Sequence, residues 1–396
     1  MQVARRLLAG LFLASFGVAL ALGALEVAVR VLHLVPARFW KPDALLGTVH
    51  VPGQTGWWTQ EENEFRVPVH INSQGLRDVE HSVAKAPGVF RLLLLGDSYI
   101  EALQVPLDQT IGRQLEQRLN ASGGAQRYEV ISMGVSGYGT ASQYLYYREQ
   151  GRNYRPDLVL LALYPGNDVR NNSPTLEPTL RPEYDDTGAL RRVSAKVRRG
   201  SRRRGLLQEV LAWSQAYQYM RKMVLTRNPA AARLLIGGGL MRADALRHVP
   251  MHDGVPVDYW VYAATPSPEW EAAWAHTWRL LTDLRDAVKA DGGQFAILMV
   301  TARDHIYPDS WEQVLAAHPR MAELRWDLGG PEARSLAWCQ QSAVPCLPLT
   351  PVFAARRESG ERLHFTYDGH WTVAGHALAA EAAAGFLEKM HLLLPR

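Results

Sequence analysis

The feature that most constrains this chain is a series of short, mainly apolar runs without period-two alternation, broken only by Arg91 in the first and Glu129 in the second. Each ends in glycine or small polar residues and is followed by a helical stretch. Phe90 to Leu95 ends at Gly96, Tyr128 to Ser132 runs into Gly134, Gly137 and Gly139, and Leu158 to Tyr164 ends at Pro165-Gly166. A strand wetted on one face alternates apolar and polar residues, whereas a continuous apolar run suits a strand buried on both faces. The helical segments 107–120 and Ala141 to Gln150 fall between these runs, and strands alternating with helices at this spacing predict a parallel α/β sheet.

The alternation then lapses for about 130 residues, until Phe295 to Val300 resumes it. That gap far exceeds one crossover connection. It contains a helical segment at 206–225, a patch at Gly237 to Gly239 and a Trp-rich helix at 267–291 that rejoins the core as the crossover. Residues 171–265 are therefore read as a largely helical insertion, a lid or cap. A helix at 331–342, a short strand near Pro345 to Leu349 and a terminal helix at 373–390 complete the pattern, while 40–88 reads as loops and short extended pieces.

The N-terminus is set apart from this. Arg5 and Arg6 precede an uncharged apolar run from Leu7 to Leu25. Glu26 interrupts it, and the run resumes to Val35 before Pro36. About 20 apolar residues span a bilayer, and flanking basic residues stay on the cytoplasmic side. Residues 1–36 are read as an uncleaved single-pass anchor, with 37–396 outside the cytoplasm. The alternative is a signal peptide cleaved near Ala19-Leu20-Ala21. The remaining composition, 47% hydrophobic and 21% charged over 396 residues, excludes a disordered or multi-span chain.

The net charge of +4 is local in origin. Arg191, Arg192, Lys196, Arg198, Arg199, Arg202, Arg203 and Arg204 lie together without an acid, and the rest of the chain is net acidic. A general nucleic-acid-binding surface is therefore not expected. Residues 191–204 read either as a solvated loop or as a contact with anionic headgroups or an anionic glycan. Cys339 and Cys346 allow one short-loop disulfide or two buried thiols.

Chemistry-bearing residues gather at the strand ends, where open α/β sheets bind ligands. The first run ends in Gly96-Asp97-Ser98, which lifts a hydroxyl clear of the sheet. The second leads to Gly134-Val135-Ser136-Gly137 and the third to Gly166-Asn167-Asp168, both able to aim N–H donors at a developing oxyanion. Before the last helix lies Asp368-Gly369-His370-Trp371, offering a base and an acid to orient it. Taken singly, each of these is an ordinary strand–helix turn with a capping residue; together they point to nucleophilic acyl chemistry. Asp97 is expected to brace the turn. Asp368, His370 and His376 could alternatively be metal ligands, though His376 fits better in the first turn of a helix.

In this order Gly96-Asp97-Ser98, Gly137, Gly166-Asn167-Asp168 and Asp368-Gly369-His370 resemble the GDSL, or SGNH, hydrolase superfamily, over about 66–170 and 290–390. The chain looks most like membrane-anchored bacterial members with an Asp-Gly-His-Trp segment. The resemblance implies a flavodoxin-like three-layer α/β/α sandwich, working without metal or cofactor. It implies that Ser98 attacks an ester carbonyl, His370 takes its proton and Asp368 orients His370. The Ser98 and Gly137 backbone N–H groups and the Asn167 side chain would hold the oxyanion. Asp368 stands two residues before His370, where many members have three. The expected activity is a serine esterase on an acyl or acetyl ester. The alternatives are an O-acyltransferase or O-acetylesterase acting on cell-surface polysaccharide, and an inactive carbohydrate-binding or scaffolding relative.

Overall fold

The computed structural model describes residues 2–32, 35, 37–60, 64–121, 126–173, 175–177, 183–184, 190–191, 214–228, 230–231, 234 and 251–394. The basic run beyond Arg191, the Gly237 to Gly239 patch and the first part of the helix expected at 206–225 lie outside these residues. Contacts divide the chain into two units. One holds Met1–Ala37 and Ala195–Val249, the other Arg38–Ser194 and Pro250–Arg396.

In the first unit, helix α1 (Gln2–Val31) contains a 23-residue stretch, Ala9–Val31, apolar and long enough to cross a membrane. Its Leu11, Phe12, Leu13 and Leu20 side chains are exposed. Glu26, the one acid in that stretch, accepts hydrogen bonds from Arg30 Nε (2.7 Å), Ser214 Oγ (2.8 Å), Gln215 N (3.0 Å) and Ala216 N (2.9 Å). Three of these donors open the helix Gln215–Arg227, whose N-cap is Ser214. A carboxylate in an apolar helix is thereby satisfied by unpaired helix N–H groups and a neighbouring cation.

The second unit is built on a five-stranded parallel sheet. Its strands are β5 (Val89–Gly96), β6 (Arg127–Gly134), β7 (Leu158–Leu163), β12 (Gln294–Met299) and β13 (Cys346–Pro348), in the order β13-β12-β7-β5-β6. Before the sheet come two antiparallel hairpins, β1 (Trp40–Asp43) with β2 (Gly47–His50) and β3 (Thr55–Thr59) with β4 (Arg66–His70). Two further antiparallel strand pairs lie outside the five-stranded sheet: β8 (Glu183–Tyr184) with β9 (Leu190–Arg191), and β10 (Met251–His252) with β11 (Val255–Pro256).

Period-two alternation along the strands sends side chains to two buried faces. Leu92, Leu94, Val130, Leu160 and Leu298 pack under α3 (Ile111–Ala121) and the terminal helix Val373–Lys389. Leu93, Leu95, Ile131, Leu161 and Ile297 pack under Thr140–Glu149, Pro268–Ala290 and Gly330–Gln341. This is the three-layer α/β/α arrangement. Leu92 to Leu95 are fully buried, and each such side chain contributes roughly 1.5–3 kcal/mol.

Some expected elements differ in extent. The helix expected at 107–120 is a 3₁₀ turn, Leu107–Gln109, followed by α3, because Thr110 between them is extended and bonds back to the Leu107 carbonyl. Within the stretch read as an insertion, Val255, Val257, Val261 and Tyr262 are buried, and the last three pack with Val169, Trp270 and Trp274. Val257, Val261 and Tyr262 thus form a cluster with residues that flank the stretch on both sides, apart from the two clusters on the sheet faces.

Cys339 and Cys346 are joined, with Cα atoms 6.3 Å apart, and tie Gly330–Gln341 to the edge strand β13. A loop this short stabilises by about 2 kcal/mol through the unfolded state. We expect thiol alkylation of the folded protein to require prior reduction, and reduction to lower the melting temperature by several degrees. Two thiols that alkylate without reductant would contradict the pairing.

Candidate active site

The carboxyl ends of β5, β6 and β7 and the loop before the terminal helix converge at one place. β5 ends at Gly96, and the chain turns at once into the short helix α2 (Ser98–Glu101). Asp97 caps that helix: its Oδ1 accepts the Tyr99 N–H at 3.0 Å. Its Oδ2 accepts Asn167 Nδ2 at 2.9 Å, from the helix Pro165–Asn171 that follows β7. Asp97 is fully buried, and burial raises its carboxyl above the usual range, although these hydrogen bonds act the other way. It thus braces the turn, as expected, and also holds the Asn167 amide. One of the two Nδ2 hydrogens remains for a second acceptor.

His370 Nε2 lies 2.8 Å from Ser98 Oγ, and His370 Nδ1 lies 2.6 Å from Asp368 Oδ1. The two-residue spacing therefore brings carboxylate and imidazole together: Gly369, at φ +82°, supplies the left-handed turn that folds Asp368 back onto the ring. Ser98, Ser136, Gly137, Asn167, Asp368 and His370 are all partly open among otherwise buried strand ends.

The electrostatics separate the three nearby histidines. Burial alone would lower His370. The Asp368 hydrogen bond and the charges of Asp368, Asp97 and Glu101 outweigh it and hold His370 above its ordinary value. Burial would raise Asp368, but its bonds with His370 and Gln104 and the His370 charge bring it below the usual carboxylate range. His364 and His376 are buried and pushed down to about 3, which leaves them neutral. His364 Nε2 meets the Thr301 carbonyl at 3.2 Å, and His376 packs edge-on against Trp371. Among the described residues no group of three or more His, Cys, Asp and Glu is placed to hold a metal ion.

Gly137 and Gly134 have different parts. Gly137 adopts φ +78°, and its carbonyl accepts Asn171 Nδ2 at 3.3 Å. At Gly134 an added Cβ would stand 2.2 Å from the Glu101 backbone nitrogen. Gly134 thus allows close packing of α2 on β6, while Gly137 allows the turn that enters the site.

One contributor had no sequence signal. Glu64 accepts the backbone N–H groups of Thr366 (2.5 Å), Tyr367 (2.9 Å) and Asp368 (3.0 Å). Its carboxylate clamps the loop that carries Asp368 and His370. Trp371 pins the other end: it is fully buried against Tyr99 and Phe353, with ring centroids 4.9 and 5.5 Å apart.

Residues 256–395, the part that carries Asp368 and His370, match the family model described as SGNH hydrolase-like domain, acetyltransferase AlgX. Over these residues the chain resembles that SGNH hydrolase-like family. No curated protein matches it. Solved structures similar to it include an acetyl xylan esterase, AlAXEase, at 10% identity and a TM-score of 0.39, covering 75% of this chain and 98% of that one. TesA is 16% identical with a TM-score of 0.37, over 77% and 99% of the two chains. A GDSL-like lipase from Bacteroides thetaiotaomicron is 13% identical with a TM-score of 0.35, over 78% and 93%.

Proposed function

We propose that this protein is a serine-dependent acyl-transfer enzyme acting on an acyl or acetyl ester outside the cytoplasm. The observation that carries the reading is the hydrogen-bonded line from Asp368 through His370 to Ser98, set at the carboxyl edge of the sheet. Ser98 Oγ attacks the ester carbonyl and its proton passes to His370 Nε2. Asp368 holds the other ring nitrogen and favours the imidazolium that forms. The tetrahedral oxyanion is received by the Ser98 and Gly137 N–H groups and the second Asn167 Nδ2 hydrogen. Collapse expels the alcohol, which takes the proton from His370. The acyl group then passes from Ser98 to an acceptor hydroxyl, with His370 again as base.

That acceptor is water in an esterase and a sugar hydroxyl in an O-acyltransferase. The family description of the 256–395 match as acetyltransferase favours keeping the second reading. Turnover of an activated acetyl ester, followed with and without an oligosaccharide acceptor, separates them. Acetate as the sole product at every acceptor concentration supports the esterase, and acetylated sugar at the expense of acetate supports the transferase. The same assay tests a binding-only relative, which would release neither.

We read residues 1–36 as the membrane anchor, 37–396 as the exported hydrolase domain and 171–265 as an insertion within it, a lid or cap. The apolar length of α1 and the Cys339–Cys346 pairing, which suits an oxidising compartment, support this. Protease added to intact spheroplasts is expected to digest the domain, and alkaline carbonate to leave it in the membrane. A full-length, protected, carbonate-soluble product would refute the topology. The basic run at 191–204 is read as an anionic-surface contact. Anionic-liposome binding that fails to fall with rising salt would leave it a solvated loop.

A further inference from the structure

The end of α2 holds a second set of polar contacts, which the steps above do not use. Glu101 stands three residues after Ser98 and is 1% exposed. Its two carboxylate oxygens face in two directions. Oε1 accepts Trp40 Nε1 at 2.8 Å and His50 Nε2 at 2.5 Å. Oε2 accepts the Ser136 backbone N–H at 3.0 Å and the Ser136 hydroxyl. His50 is itself held through Nδ1, 3.0 Å from the Gly75 carbonyl. Four donors on one buried carboxylate satisfy it without solvent, an arrangement open only to an acceptor with two oxygens.

We propose that Glu101 is a positioning residue that sets the oxyanion donor against the nucleophile, with His50 and Trp40 as its supports. The proposal rests on the reading of Ser98 and Gly137 given above. Ser98 and Glu101 share one turn of helix, and Ser136 immediately precedes Gly137. The carboxylate therefore ties the turn that carries the Gly137 N–H to the helix that carries Ser98 Oγ. Gly134 secures the other side of the same turn, since its missing side chain lets α2 lie directly on β6. Trp40 and His50 come from the β1–β2 hairpin, just after residue 37. The hairpin is on this account part of the active site's frame, although none of its residues reaches the reacting atoms.

Geometry of this kind acts on the transition state. The charge on the carbonyl oxygen grows as Ser98 attacks, so a displaced donor lowers kcat with little change in KM. Glu101→Gln keeps the size of the side chain but replaces one oxygen by an amide, which turns a donor toward either the Trp40–His50 pair or Ser136. Ser136→Ala removes only the hydroxyl and keeps the backbone bond.

The test uses the full chain in detergent. Kcat and KM for an activated acetyl ester are measured per active site, the sites being titrated by stoichiometric fluorophosphonate labelling. We expect Glu101→Gln to lower kcat per labelled site by about 10²-fold, the order lost with one oxyanion donor, with KM within a few-fold of wild type. Ser136→Ala should lower kcat by up to about tenfold, the worth of one charge-assisted hydrogen bond. A structural role alone would reduce the number of labelled sites and the melting temperature and leave kcat per labelled site unchanged. That result in both variants would overturn the assignment. If wild type labels and turns over normally and Glu101→Gln matches it, only the Glu101 assignment falls. If wild type itself neither labels nor turns over, the Ser98 reading falls and takes this one with it.

Discussion

Ser98→Ala abolishes ester turnover, with kcat reduced by about 10⁴–10⁶-fold, the range over which removing the nucleophile of such a site acts. The expected loss is this large because the other serine described at the site is already bonded elsewhere. That serine, Ser136, is partly open, and its Oγ is committed to Glu101 Oε2. His370 Nε2 would be left facing a methyl group. Stability should change by no more than about 0.5 kcal/mol, because Ser98 is partly open and its hydroxyl serves no core contact. Circular dichroism and melting temperature check that the variant is folded while the rate is lost. Residual turnover within tenfold of wild type in a folded variant would contradict the role of Ser98.

The second large effect is at His370, and it separates that residue from two close neighbours in the sequence. His370→Ala is expected to lose kcat by about 10⁴-fold or more. His376→Gln should lower stability and leave kcat per labelled site close to wild type, because His376 is buried against Trp371 and bonds to none of the reacting groups. The pH profile gives an independent reading. The base must be neutral to accept the Ser98 proton, so activity rises as His370 loses its own proton. Since His370 is held above its ordinary value, the acidic limb of kcat/KM should lie above about pH 6.5. Asp368→Asn removes an opposing charge while burial remains, so the limb should move to lower pH as the maximal rate falls by about 10³–10⁴-fold. A limb that stays in place in Asp368→Asn would mean that another group titrates.

The strand ends were legible in the sequence because buried parallel strands leave an unmistakable record. Leu92 to Leu95 is apolar throughout since both faces of the sheet are covered, and Gly96-Asp97-Ser98 can only follow its carboxyl end. The three segments bearing Ser98, Gly137 and Asn167 follow parallel strands, which deliver their carboxyl ends to one edge, whereas His370 precedes the terminal helix and joins them in the sequence only through its chemistry and the family resemblance. The Asp368–His370 pairing was legible as a neighbourhood, but the distance depended on the left-handed turn at Gly369.

The parts that escaped have a common cause. Glu64 acts through backbone N–H groups some 300 residues away, and an acceptor of main-chain donors leaves no periodic or local pattern. His50 and Glu101 meet through a hairpin in a region that read only as short extended pieces. Residues 255–262 carry too few apolar side chains to show a period, and the packing of Val257, Val261 and Tyr262 against Trp270 and Trp274 is a tertiary contact that no local pattern announces.

Whether Ser98 is a nucleophile activated by His370 is decided by labelling the wild-type chain with a fluorophosphonate and mapping the modified peptide. The probe requires an activated serine and no knowledge of the natural ester. We expect a single stoichiometric adduct on the peptide containing Gly96-Asp97-Ser98, lost in His370→Ala. An adduct on another serine, or none on active protein, would contradict it.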